Sequence, residues 1–167
     1  MNLECRMIVI VMGVVGSGKT TVGRLLAQQS GWEFADADDF HPASNIEKIR
    51  RGVPLSDKDR EPWLDKLGQA IAGWIAQGRN LVLACSALKR RYREKLNGGP
   101  EVRYVYLKGT AALIAERLRA RHGHFADEKI LQSQLADLEE PESAVTVDIA
   151  ESPARIVDKI RKELGLE

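Results

Sequence analysis

Residues 7–20 read MIVIVMGVVGSGKT, an unbroken apolar run that ends at Gly13 and opens into a loop with glycines at 13, 16 and 18, followed by Lys19 and Thr20. A continuous run rich in β-branched residues, without polar alternation, predicts a strand over 7–12 buried on both faces, as in a parallel sheet. Gly13, four residues, then Gly18-Lys19-Thr20 is the P-loop spacing, and it stands between strand and helix as that motif requires. Glycines let successive backbone N–H groups curl round an anion. The helix that starts near Lys19 adds its positive end, and the lysine supplies a point charge for the outer phosphates of a nucleotide. Gly13, Val14, Val15, Gly16, Ser17, Gly18, Lys19, Thr20 and Thr21 are therefore the candidate ATP-binding residues, with the Thr20 hydroxyl also a candidate ligand of Mg2+ carried by the triphosphate. The glycine spacing does not make G-x-G-x-x-G, which excludes a dinucleotide fingerprint.

Outward from the loop, Val22, Leu25, Leu26 and Gln29 recur at helical spacing and Gly31 stands where a helix stops, predicting a helix over 19–29. A short strand over 33–37, helices over 44–51 and 59–77, and a buried strand over 80–85 follow. The helix over 59–77 carries Leu64, Leu67, Ile71 and Ile75 on one face. Then come a basic helix over 88–96, a strand over 102–107, a helix over 110–121, a strand over 145–149 and a closing helix from Pro153. Strands alternating with helices predict a five-stranded parallel sheet covered on both faces, a three-layer α/β fold. No repeat or Pro/Ser-rich linker interrupts the chain, so residues 1–167 are expected to form a single domain.

With 167 residues and 44% hydrophobic content the chain is long enough to bury a substantial core. Lys and Arg total 25 against 24 Asp and Glu, so no global charge favours nucleic acid or an anionic membrane. Three each of Trp, Tyr and Phe leave little stacking surface for single strands. Cys5 and Cys85 lack partners at metal spacing, which favours a reducing, cytoplasmic setting. The apolar run at 7–15 flows into the glycine loop and not into a cleavage site, and no stretch is long enough to span a bilayer.

A P-loop alone does not name a reaction. Asp36, Asp38 and Asp39 crowd the carboxyl end of the second strand, the edge where open parallel sheets bind ligands. At strand spacing Asp36 and Asp38 share a side, so one would partner Mg2+ while the other accepts a hydroxyl proton. Asp39 would point away or cap a turn. The third strand ends in Ala-Cys-Ser, without the acidic residue of a Walker B strand, which strengthens the case for Asp36 near the metal. Cys85 reads as a buried thiol. After it, Lys89 and Arg93 stand within reach of an anionic substrate, whereas Arg90, Arg91 and Lys95 read as a solvated helix face.

Five blocks carry a family resemblance: DADDFHPASNIEKIRRGVPLSDKDREPWL (36–64), CSALKRRYRE (85–94), VYLKG (105–109), RLRARHGHF (117–125) and LQSQLADLEEP (131–141). From 7 to 149 the chain resembles the gluconokinase family of P-loop kinases, related to shikimate kinase. It departs from the family at Val15, where a serine is usual. That position contributes mainly its backbone. The resemblance implies ATP-dependent phosphorylation of D-gluconate to 6-phospho-D-gluconate, and a homodimer.

A sugar acid needs a cation for its carboxylate and hydrogen-bonding groups for its hydroxyls. Arg60 is the first candidate for the carboxylate, unless it pairs with Asp57 or Glu61. Asp38 and His41 are the candidates for the hydroxyls, Ser86 is a substrate-binding candidate where small residues let substrate approach the backbone, and Lys89 and Arg93 are further candidates for the acid. The resemblance makes 117–138 a mobile lid with Gly123 as hinge. Arg117 and Arg121, four apart on one helix face, are its phosphate contacts unless they pair with Glu116 or Asp127. The catalytic candidates are thus Lys19, Asp38, Arg117 and Arg121. Against these stand a kinase of another small acid such as shikimate, and a nucleotide switch. The switch is disfavoured by the lack of N-K-x-D and DxxG segments.

Overall fold

The computed structural model describes residues 6–96, 98–122 and 125–166. Cys5, Gly123 and His124, and with them the expected hinge, lie outside these residues. Five strands are formed: β1 (Ile8–Met12), β2 (Glu33–Asp36), β3 (Leu81–Ala84), β4 (Val102–Lys108) and β5 (Val145–Asp148). All pair in parallel, in the order β2-β3-β1-β4-β5. The helices are α1 (Lys19–Ser30), α2 (Ala43–Arg50), α3 (Asp57–Ala76), α4 (Arg90–Leu96), α5 (Ala111–His122), α6 (Phe125–Asp137) and α7 (Pro153–Leu164).

The central strand explains the layering. Every residue of β1 is fully buried, and side chains alternate between its faces. Val9 and Val11 join Val22 and Leu26 of α1, Ile114 and Leu118 of α5, Leu131 of α6 and Ile156, Val157 and Ile160 of α7. Ile8, Ile10 and Met12 join Trp63, Leu64, Leu67 and Ile71 of α3 with Tyr92 and Leu96 of α4. An apolar stripe on one helix set thus covers each sheet face, which is why β1 reads as a continuous hydrophobic run.

Three departures from the sequence expectation bear on the site. The chain leaves β2 at Asp36 and turns at once through a 3-10 helix, Ala37–Phe40, whose Asp38 amide is capped by the Asp36 side chain. Asp38 is therefore not at strand spacing from Asp36. Helix α4 starts at Arg90 and not at 88, because Ala87 takes a positive φ of 45° and the chain from Cys85 to Lys89 is irregular. Finally, 125–137 forms a helix that the periodicity did not predict, packing Leu131 under α5.

Helix α3 starts with a capping box, Ser56 and Asp59 each accepting the other's backbone N–H, an arrangement worth about 1 kcal/mol. It fixes the first turn of α3, which carries Asp57, Asp59 and Arg60 to the carboxyl edge of the sheet.

Candidate active site

The strands' carboxyl ends open into a cleft of about 340 Å3. Its floor is the loop after β1. Gly16 adopts φ 80°, a conformation that L side chains rarely adopt, and a Cβ there would meet Leu118 at 2.8 Å. A Cβ on Gly13 would stand 2.6 Å from Ser17 Oγ. Val15, Gly16, Gly18, Lys19, Thr20 and Thr21 face the cleft, while Gly13, Val14 and Ser17 are buried behind it. Lys19 Nζ donates to the Val14 carbonyl at 3.0 Å. Burial holds its pKa below the usual lysine value, a fall that Asp38 and the other nearby acidic groups oppose.

Two acids meet the loop. The Thr20 hydroxyl lies 3.4 Å from Asp36 Oδ2, and Asp36 Oδ1 accepts the Asp38 amide at 2.9 Å. Asp36 thus divides its oxygens between the loop and the 3-10 turn. That turn, and not strand alternation, brings Asp38 into the same cleft. Asp38's side chain is 81% exposed, yet its pKa is raised, first by the protein around it and then by the negative charge of Asp36. Asp39 is exposed.

Thr20 and Asp36 are hard oxygen donors of the kind that suits Mg2+, and among the described residues no group of three or more His, Cys, Asp or Glu forms a cage. Such a sparse set fits an ion that keeps waters and shares phosphate oxygens.

The far wall is built by α2, α3 and the segment between them. His41 stacks on Trp63 with ring centroids 4.4 Å apart and planes 16° from parallel. Trp63 is held in turn by its Nε1–H donating to the Ala37 carbonyl at 2.7 Å. Burial, followed by the positive charge of Arg60, pushes the His41 pKa down to about 4, so the ring is neutral at physiological pH. Arg60 is 5% exposed, and its Nη1 donates to Tyr92 Oη at 3.1 Å and Asp137 Oδ2 at 3.2 Å. Its acidic partner is thus Asp137 of α6, and neither Asp57 nor Glu61. Ser86 lines the cleft beside Cys85, whose thiol burial pushes up to about 12. That makes it a poor nucleophile.

The remaining basic candidates separate. Arg121 lines the cleft. Lys89 is bonded to Asp57 Oδ1 at 2.9 Å, and Tyr92 and Arg91 also contact Asp57. Two expectations need correction. Arg93 does not reach the cleft, because its guanidinium donates to the carbonyls of Ala87, Leu88 and Glu139 and pins the irregular chain before α4 to the end of α6. Arg117 faces away as well: its Nη2 donates to the Ile149 carbonyl at the end of β5.

Sequence reasoning gave no role to three residues that organise the site. Gln134 Oε1 accepts the Val15 amide of the loop at 2.7 Å. Asp137, three residues further along α6 and hence on the same face, accepts from Arg60. Asn45, 2% exposed, bonds to His41. The first two were legible only once α6 was known to be a helix.

Known proteins resemble this chain over most of its length. A family model described as AAA domain matches residues 8–141. The chain is 40% identical to a gluconokinase of Gluconobacter oxydans, covering all of this chain and 96% of that one. It is 42% identical to a probable gluconokinase of Xenopus tropicalis, with 95% and 93% covered. The crystal structure of a gluconokinase from Sinorhizobium meliloti superposes with a TM-score of 0.87 at 40% identity, covering 96% of this chain and 92% of that chain. A shikimate kinase from Aquifex aeolicus, at TM-score 0.58 and 18% identity, shares the fold.

Proposed function

The chain belongs to the gluconokinase family of P-loop kinases, and from that premise we propose how its cleft carries out the ATP-dependent phosphorylation of D-gluconate at the 6-hydroxyl to 6-phospho-D-gluconate. The observation that carries the reading is the opposition across one cleft of a phosphate-binding loop and a wall bearing a buried arginine, a neutral histidine and an open carboxylate.

Lys19 stabilises the charge that develops round the transferring phosphoryl group. Thr20 and Asp36 would hold Mg2+, which would neutralise phosphate charge when bound. Asp38 orients the 6-hydroxyl and takes its proton. Arg60 spends Nη1 on Tyr92 and Asp137 and keeps further N–H groups for the substrate carboxylate. Ser86 and His41 hydrogen-bond hydroxyls. Residues 117–138 act as the lid of a single kinase domain, with Arg121 turned to the phosphates and water excluded on closure. We read the protein as cytoplasmic and homodimeric, on its cysteine usage and the family resemblance. Among the described residues no helix is long and apolar enough to cross a membrane.

A coupled ADP-release assay over sugar acids, shikimate and nucleoside monophosphates tests the reading. Gluconate is expected to give the highest kcat/KM, and preference for shikimate or a nucleotide would overturn it. Within that assay Arg60→Lys keeps the charge but loses the fork, and Arg60→Ala removes both. We expect gluconate KM to rise in both and more in the alanine variant, by about 2 kcal/mol or more of binding, with ATP KM unchanged. Equal rises for both substrates would remove Arg60 from the carboxylate.

A further inference from the structure

We propose that Asn45 is a positioning residue that fixes His41 as the Nε2-protonated tautomer, making His41 a permanent hydrogen-bond donor that brackets one substrate hydroxyl together with Asp38. The bracketing rests on the reading of the cleft as a hydroxy-acid site. The tautomer does not.

Asn45 is buried, and its Nδ2 lies 2.8 Å from the Asp59 carbonyl and 3.2 Å from His41 Nδ1. The Asp59 carbonyl is a pure acceptor, so it fixes the orientation of the Asn45 amide: rotating the amide would set oxygen against oxygen. An amide nitrogen has two hydrogens and no lone pair to offer. With one directed at Asp59, the other points at the imidazole, and Nδ1 must accept it. A neutral imidazole carries one proton, which is then on Nε2. The ring is held neutral by burial and by Arg60, and held flat by its stack on Trp63.

Nε2 lies 3.8 Å from Asp38 Oδ1. That is too long for a direct hydrogen bond and short enough for one oxygen to lie within bonding distance of both groups. A fixed donor beside a carboxylate acceptor matches a group that accepts and donates through the same atom, which describes an alcohol. An ether or carboxylate oxygen would face Asp38 without a proton, so the pair selects hydroxyl over either.

The test is the 15N spectrum of the imidazoles in the full-length protein, whose three histidines are assigned with His41→Gln. A protonated Nε2 and unprotonated Nδ1 are expected for His41, passing to a mixture of tautomers in Asn45→Ala. A protonated Nδ1 in the wild type, or an unchanged spectrum in a folded Asn45→Ala, would overturn the proposal. Because Asn45 is buried, a second pair avoids dependence on that variant folding. The Gln amide nitrogen can reproduce Nε2–H, and the shorter Asn cannot. Gluconate KM should therefore be about tenfold lower in His41→Gln than in His41→Asn. Equal KM for both would also overturn it. The spectrum needs no substrate, so it decides the tautomer whichever acid is the acceptor.

Discussion

Lys19→Ala will fold and will fail to transfer phosphate, with kcat reduced by about 10²–10³-fold or more, the range seen when one charge-stabilising donor is removed. The folded state disfavours the charged form of this lysine, since its pKa is lowered by burial in the loop. A group whose ammonium is less welcome folded than unfolded contributes no stability at neutral pH through its charge. Its ammonium bonds to the Val14 carbonyl, beside an open cleft from which water can replace it. The melting temperature of Lys19→Ala should therefore match or exceed that of the wild type, measured beside kcat on the same preparation. A folded variant with near-normal turnover would remove Lys19 from the reaction.

The contrast between Lys19 and the other basic candidates shows what a sequence exposes. Lys19 is tied to its role by residues adjacent to it, from the strand before to the helix after, and this local grammar was legible in MIVIVMGVVGSGKT. So were the five strands, most plainly β1 and β3, whose burial on both faces leaves continuous apolar runs. Arg60 and Asp137 are separated by 77 positions and meet only because α6 crosses the cleft. Nothing local to DKDREPW points to that pairing. Arg93 and Arg117 have the composition of phosphate or carboxylate ligands, but each is spent on backbone carbonyls left open where β5 and the chain before α4 end. Residue type gave their chemistry, and tertiary placement gave their direction. Helix α6 escaped notice because ADEK interrupts its apolar positions between Phe125 and Ile130, and it follows RHGH without a clear capping residue.

Asp38→Asn is expected to lower kcat by about 10²-fold or more, the low end for loss of a general base, with ATP KM little changed. Asp38 was placed beside Asp36 by strand alternation, yet the structure brings it there by a tight turn that Asp36 caps. The outcome is the same cleft with a different dependence: Asp38 is aimed by Asp36. Its pKa is raised by the surrounding protein and by Asp36, which makes it a stronger proton acceptor than an ordinary surface carboxylate. A loose phosphoryl-transfer transition state asks little of a base, so part of the loss will be in orientation of the hydroxyl. Asn keeps the shape and removes the charge. Asp36→Asn is the necessary companion, because an amide oxygen can still cap the turn, so that variant removes only charge, both opposite Thr20 and beside Asp38. If Asp38→Asn keeps full kcat while Asp36→Asn loses it, the two acids have exchanged roles. If both remain active, the proton acceptor lies outside the pair, and the wall carrying His41 is the next place to look.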